Sequence, residues 1–299
     1  MRTILLTGAN GFIGKNLLKY IRAAPEYATD RLVLLTSVLV PGYECLVCPN
    51  YHVGPADFAA LNISRIDVFV HLGGFIPKEQ RQANDVNLCS GNISVTLACL
   101  DALPLPLAKL VFVSTIDVYA SDADEHLTEE SPVNPISLYG WSKLYTEQVV
   151  QHWAQQNGAV CQVLRLGHIY GPGEEAYRKL IPQTIRGLHA GESPVIYTDG
   201  TELRAFLHVA DCCRLIMKSI ELTRFIGPVN VASSHSISVL ELVQLLKQLT
   251  GSKQVIEVRN SVQIKRNLTF DNSKMKQWLG EETIDLPTGL AQEIAVFTY

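Results

Sequence analysis

Arg2-Thr-Ile-Leu-Leu-Thr-Gly8-Ala-Asn-Gly11-Phe-Ile-Gly14-Lys-Asn-Leu-Leu18 is the stretch that decides the fold. A short apolar run ends in three glycines and passes directly into a helical pattern, which reads as a strand, a phosphate-binding turn and a helix. Glycine is required where the chain turns with positive φ and where backbone must approach a pyrophosphate closely. The helix start behind the turn offers N–H groups and the positive end of a dipole to an anion. A dinucleotide is therefore the expected ligand, with Gly8, Asn10, Gly11, Phe12, Ile13 and Gly14 against its phosphates. The glycines could instead only let a helix cross a strand, but the order strand, turn, helix favours binding. Their place at the very start of the chain argues against a preceding signal peptide.

Working outward, 299 residues with 47% hydrophobic and 18% charged side chains suffice for one large core, or for a core and a smaller lobe. A net charge of −4 carries no electrostatic footprint for nucleic acid or an anionic membrane surface. No apolar stretch approaches the roughly 18 residues of a membrane span; Arg31 to Val40 is short and closed by Pro41. Seven cysteines, scattered through mostly apolar segments, suit a reducing cytoplasm. Cys45 and Cys48 form a lone C-x-x-C that, without a second pair or a nearby histidine, reads as surface thiols. No metal site is expected.

Apolar runs at Ile4–Leu6, Leu32–Leu35, Val68–Leu72, Lys109–Ser114 and Cys161–Leu166 alternate with helical patterns near 12–23, 84–102 and 140–157. This alternation predicts an α/β chain built on a Rossmann-type, doubly wound parallel sheet with right-handed crossovers. Residues 1–170 form the expected dinucleotide-binding domain. After Gly171-Pro172-Gly173 the pattern loosens, with strands near 195–197, 228–231 and 254–258 and helices near 175–190, 209–222, 238–250 and 272–279. Residues 171–299 are expected to form a smaller, interleaved α/β substrate lobe, some of whose segments return to the sheet.

Tyr139 and Lys143 stand four residues apart at the start of a predicted helix and share one face. Some two dozen positions earlier, Lys109-Leu-Val-Phe-Val-Ser114-Thr115 is an apolar strand ending in two hydroxyls, and strand ends of a parallel sheet face the ligand crevice. A phenol with a pKa near 10 is a poor base at neutral pH, but a nearby lysine cation and an oxidised nicotinamide both favour its phenolate. Lowering that pKa by about three units takes about 4 kcal/mol. Tyr139 is thus the candidate acid/base, Lys143 its cationic partner and ribose ligand, and Thr115 the hydroxyl on the reacting oxygen.

At these residues the chain resembles the extended short-chain dehydrogenases/reductases, specifically the NAD-dependent epimerase/dehydratase family, whose members mostly act on nucleotide-activated sugars. The resemblance runs through almost the whole length. It implies that Thr7–Gly14 is the cofactor loop, that Asp57 contacts adenine, and that Leu72, Gly73 and Gly74 lie beside the nicotinamide ribose. Asn87 occupies a helix position common in the family, and Ser114 joins Tyr139 and Lys143 on the cofactor side. Thr115 is preferred to Ser114 as the reactive hydroxyl because it lies four residues before Tyr119. Arg165-Leu-Gly-His168-Ile-Tyr-Gly-Pro-Gly173 and Gly200-Thr-Glu-Leu-Arg204-Ala-Phe-Leu-His208 resemble the family's substrate elements, which implies that His168 and Arg204 meet the substrate diphosphate. Arg165 is expected to be structural. A homodimer through the helices near 84–102 and 140–157 is a further implication.

Departures from the family pattern narrow the reaction. Ile116-Asp117 stands where the dehydratases carry Asp-Glu, and an isoleucine cannot protonate a leaving hydroxyl. His168 and Ala205 replace the usual Asn and Asp, which leaves the sugar open. The strand-two end, Thr36-Ser37, carries neither the acid of a clear NAD binder nor an arginine for a 2′-phosphate, so NAD and NADP are both allowed, with the lack of positive charge favouring NAD. The expected activity is a nucleotide-sugar epimerase working at C4 by transient oxidation of a sugar hydroxyl. The alternatives are an NAD(P)H-dependent reductase of a nucleotide-linked 4-keto sugar and, more remotely, a non-catalytic cofactor sensor.

Overall fold

Ile4, Leu5 and Leu6 are each no more than 1% exposed, as a parallel strand covered on both faces requires. The structure is a computed structural model and describes residues 1–120, 126–259 and 266–297. From the N-terminus, β1 (Thr3–Thr7), α1 (Phe12–Ala23), β2 (Arg31–Thr36), β3 (Glu44–Val47), α2 (Pro55–Ala60), β4 (Val68–His71), α3 (Val86–Ala102) and β5 (Lys109–Thr115) follow one another. They are succeeded by β6 (His126–Leu127), α4 (Leu138–Gln156), β7 (Val160–Leu166), β8 (His168–Tyr170), α5 (Leu180–His189), β9 (Val195–Ile196), β10 (Leu203–His208) and α6 (Val209–Ser219). The chain ends with β11 (Val229–Val231), β12 (Ser236–Ser238), α7 (Val239–Thr250), β13 (Glu257–Val258), β14 (Thr269–Phe270), α8 (Ser273–Trp278) and α9 (Leu286–Val296).

Seven strands form one sheet in the order β11-β7-β5-β4-β1-β2-β3, and the pairs from β7 to β3 are all parallel. Because β1 is central and the chain moves outward from it in both directions, the strand ends beside β1 form the switch point at which such sheets take ligands.

The chain divides into two compact units. The first comprises Met1–Ser121, Pro132–Leu166 and Cys213–Val229, and its core includes Leu5, Val33, Phe58, Phe69, Phe112 and Val163. The second comprises Asp122–Ser131, Gly167–Cys212 and Asn230–Tyr299. In it β8, β10 and β12 form a small sheet, β9 pairs with β13 and β6 with β14. Its core gathers Tyr170, Ile181, Ile185, Leu242, Leu246 and Leu290 from β8, α5, α7 and α9.

A single boundary near residue 170 therefore simplifies a chain that changes unit several times. Helix α9 escapes the sequence pattern because Leu286-Pro-Thr-Gly reads as a turn. Asp285 instead accepts a hydrogen bond from Thr288 N, and Pro287 occupies the first turn, where its missing N–H costs nothing. Cys48 is not a surface thiol: it is 5% exposed, packed beneath the edge strand β3. All seven cysteines are free. Among the described residues no helix is long and apolar enough to cross a membrane, and no group of three or more His, Cys, Asp or Glu side chains could hold a metal ion.

Candidate active site

Gly8 ends β1 with φ +75, and a Cβ there would lie 2.8 Å from Gly73 N and from the Leu72 carbonyl carbon. A Cβ on Gly14 would sit 2.1 Å from Gly8 O, so α1 begins pressed against the turn. Gly11 N donates to Gly8 O at 3.0 Å, and Gly11 is the N-cap of α1 with no side chain to cover it. The turn is thus a bare backbone cradle at a helix N-terminus, a shape that fits a pyrophosphate. Asn10 Nδ2 donates to Thr36 Oγ1 at 2.8 Å, which ties the cradle to the end of β2.

A directed chain of hydrogen bonds supports the far side of the cradle. Gly73 N donates to Thr7 Oγ1, whose hydroxyl points to His71 Nδ1 at 2.6 Å; His71 Nε2 faces Thr96 Oγ1 at 2.9 Å, and Thr96 donates to Asn92 O. With Thr7 and Thr96 so committed, His71 carries its proton on Nε2. Burial, reinforced by the Lys143 charge, lowers its pKa to about 3, so it is neutral.

Asn87, the helix position singled out from sequence, is exposed in the first turn of α3. The buried amide on that helix is Asn92, whose Oδ1 accepts from Phe75 N at 2.6 Å and whose Nδ2 donates to Ser142 Oγ at 3.1 Å. It clamps the turn after β4 to the start of α4. Asn92→Ala leaves the Phe75 N–H unpaired and is expected to cost about 1–3 kcal/mol in urea unfolding, whereas Asn87→Ala should change stability by less than about 0.5 kcal/mol. Asp57, expected at the adenine, lies on α2. Its carboxylate accepts from Gly54 N at 2.8 Å and closes the first turn of α2, and Cys48 and Pro49 follow the end of β3.

At the end of β5 successive side chains part to opposite faces. Ser114 is buried and donates to Glu147 Oε1 at 2.5 Å, which turns it away from the crevice and from the cofactor side. Thr115 meets the Tyr139 side chain and opposes the rise of its pKa. Ser137 caps α4 by accepting from Gly140 N, and Gly140 lets the helix start abut the Asp117 backbone, where a Cβ would fall 2.4 Å from Asp117 O. Tyr139 is 6% exposed and Lys143 7%. Lys143 Nζ donates to Val113 O at 2.7 Å and lies 4.3 Å from the Phe112 ring centroid.

The protein alone does not make Tyr139 a phenolate. Burial, followed by the Asp117 carboxylate, pushes the phenol well above its ordinary range, and Thr115 only partly opposes them. The Lys143 ammonium is itself weakened by burial, to about 8, with Glu147 pulling the other way.

In the second unit, His168 on β8 pairs in register with Phe206 on β10 and packs against its ring at 5.6 Å. Arg204 lies two residues earlier on the same strand, and its Nη1 donates to the carbonyls of Leu203 and Arg266. Burial, then the charges of Arg204 and Lys179, lower His168 to about 4, and its Nδ1 is buried without a partner. His168 and Arg204 therefore lie close together on neighbouring strands, beside the Lys179 charge.

A parallel sheet whose first turn is shaped for a pyrophosphate, and whose fifth strand hands a hydroxyl to a buried phenol, defines the class: a dinucleotide-dependent enzyme of the extended short-chain dehydrogenase/reductase type. The profile of the NAD dependent epimerase/dehydratase family matches residues 4–232. The chain belongs to that family. It is 28% identical over 314 residues to YtcB of Bacillus subtilis (strain 168), described as an uncharacterized UDP-glucose epimerase, covering 98% of this chain and 96% of the relative. It is 26% identical over 311 residues to a dTDP-4-dehydro-6-deoxy-D-allose reductase of Streptomyces sp, covering 97% and 94%. Among solved structures, the UDP-glucose 4-epimerase of Thermotoga maritima with UDP-glucose superposes with a TM-score of 0.84 at 21% identity, covering 99% of this chain and 98% of that one. That last likeness is one of fold.

Proposed function

We propose that this protein is an NAD-dependent nucleotide-sugar 4-epimerase. The observation that carries the reading is the buried pair Tyr139 and Lys143, one turn apart on α4, with Thr115 at the end of β5 meeting the Tyr139 side chain. NAD, when bound in the glycine cradle, supplies a hydride acceptor that returns the hydride. The chain's own residues do the rest. Thr115 holds the sugar oxygen, Tyr139 takes its proton and later gives it back, and Lys143 adds the positive charge that favours the phenolate and holds ribose hydroxyls. Ile116 offers no acid for water elimination, which argues against dehydration. NAD is favoured over NADP by the family's own cofactor and by Thr36-Ser37-Val38-Leu39, which contains no base for a 2′-phosphate. Arg204 and His168 are assigned to the substrate diphosphate, for which a guanidinium is a bidentate match.

A second reading has its own observation. Burial and Asp117 hold Tyr139 as a neutral phenol, the form that donates a proton to a carbonyl, as a ketosugar reductase needs. One assay separates the two: purified protein is given uridine-, guanosine- and thymidine-diphosphate sugars. Epimer formed without net cofactor turnover supports the epimerase; no epimer, but stoichiometric consumption of reduced cofactor on a 4-keto sugar, transfers the assignment to the reductase.

Free cysteines throughout suit a reducing cytoplasm. Exposed Trp141 and Tyr145, a turn apart on α4, with Leu97 on α3, suit a homodimer through these helices.

A further inference from the structure

Glu147 is a fully buried carboxylate that the proposed reaction does not use. It lies one helical turn beyond Lys143 on α4, as Lys143 lies one turn beyond Tyr139, so the three share a face. Its oxygens are crowded with donors: Ser114 Oγ at 2.5 Å, Arg165 Nη2 at 2.8 Å and Arg165 Nε at 3.1 and 3.3 Å. Arg165 continues to Tyr119, donating to its hydroxyl at 3.1 Å and lying 5.0 Å from its ring centroid. Arg165 thus pairs directly with the buried carboxylate, and Lys143 stands one helical turn from it, within reach of its charge. A buried cation stripped of its carboxylate is strongly disfavoured, so Arg165 depends on Glu147 directly and Lys143 through its charge.

We propose that Glu147 is a positioning residue of the catalytic set: clamped by Ser114 and Arg165, it keeps Lys143 in its charged form and fixes the hydroxyl end of β5 against α4. The proposal rests on the reading of Lys143 as part of that set.

The groups around the pair leave this role to Glu147. On β5, Lys143 meets the Val113 carbonyl, a dipole, and the Phe112 ring, an apolar face that also attracts a cation. From β4 it is coupled to His71, which is neutral, and on its own helix to Glu147. Glu147 in turn meets Ser114 on β5, and on β7 Arg165 and Cys161, whose thiol burial pushes up to about 12. Arg165 and Lys143 compete for one negative charge, so removing either party should move the other in a defined direction.

The test is a titration of Lys143 in the full-length protein with its cofactor, read by NMR of 13Cε-labelled lysine and assigned with Lys143→Arg. In Glu147→Gln, Lys143 should release its proton about one pH unit or more below the wild-type midpoint. In Arg165→Met it should release it at higher pH, because the carboxylate then serves Lys143 alone. Glu147→Asp, which retains the charge, should stay between wild type and Glu147→Gln. The alkaline limb of kcat should follow the same order. Coincident Lys143 titrations in wild type, Glu147→Gln and Arg165→Met overturn the proposal, and if Glu147→Gln does not fold, the direction of the Arg165→Met shift decides. A purely structural Glu147 would lower the unfolding midpoint without moving the lysine. Should no nucleotide sugar be turned over, the epimerase assignment fails while the NMR titration still decides this proposal.

Discussion

Tyr139→Phe is expected to lower kcat by about 10²–10⁴-fold, the span associated with loss of a positioned proton donor or acceptor. The ring remains and only the hydroxyl leaves, so the packing of a side chain that is 6% exposed is preserved. Its polar contact with Thr115 is lost, yet Thr115 stays anchored through Asp117 N, which donates to its Oγ1 at 3.2 Å. NAD affinity, measured by titration calorimetry, should therefore change far less than kcat. If turnover survives at the wild-type rate, Tyr139 is not the acid/base and both the epimerase and the reductase readings fall.

Gly14→Ala should be the most damaging small change in the first unit. The new methyl would lie 2.1 Å from Gly8 O and 2.8 Å from Ala9 Cα, and both are backbone atoms that cannot swing aside like a flexible side chain. Helix α1 must then retreat from the end of β1, which opens the phosphate cradle. NAD binding is expected to weaken at least about 100-fold, about 2.7 kcal/mol, and stability to fall by about 3 kcal/mol. Gly91→Ala is the matched control. It is also a helical glycine, on α3, but its added Cβ meets nothing within 4 Å. That change should stabilise by about 0.5–1 kcal/mol, since alanine loses less chain entropy on folding. Calorimetry and thermal unfolding of the two variants side by side check both expectations.

The cradle was legible in the sequence because its demand is local: three glycines, one strand and one helix within a dozen residues state it completely. The Tyr139–Lys143 spacing is legible for the same reason, since a helix converts four residues into one face. Period-two alternation says that Ser114 and Thr115 part company, but not which one faces the crevice. The structure adds that Ser114 reaches inward to Glu147 and Thr115 to Tyr139, at successive positions along α4. Asn92 was hidden because its partners, Phe75 and Ser142, lie 17 and 50 residues away in the chain. The short edge strand β3 was not legible in the sequence, and Asp57, taken from the resemblance alone, turns out to close the first turn of α2. Likewise, sequence could rank Lys143 and a nicotinamide as forces on Tyr139, but not the opposing weight of its burial and of Asp117.

The order in which the sheet's strands leave the ribosome differs from their order in space. Strand β7, Val160–Leu166, is mostly apolar and buried from Cys161 onward, and its outer neighbour β11 is not synthesised until Val229–Val231. All of Gly167–Cys212 must emerge first, and that segment belongs to the other unit. During this interval β7 presents a sticky, unpaired edge to neighbouring nascent chains, the kind of surface that recruits chaperones or seeds inclusion bodies. Truncation after residue 170 would make that interval permanent.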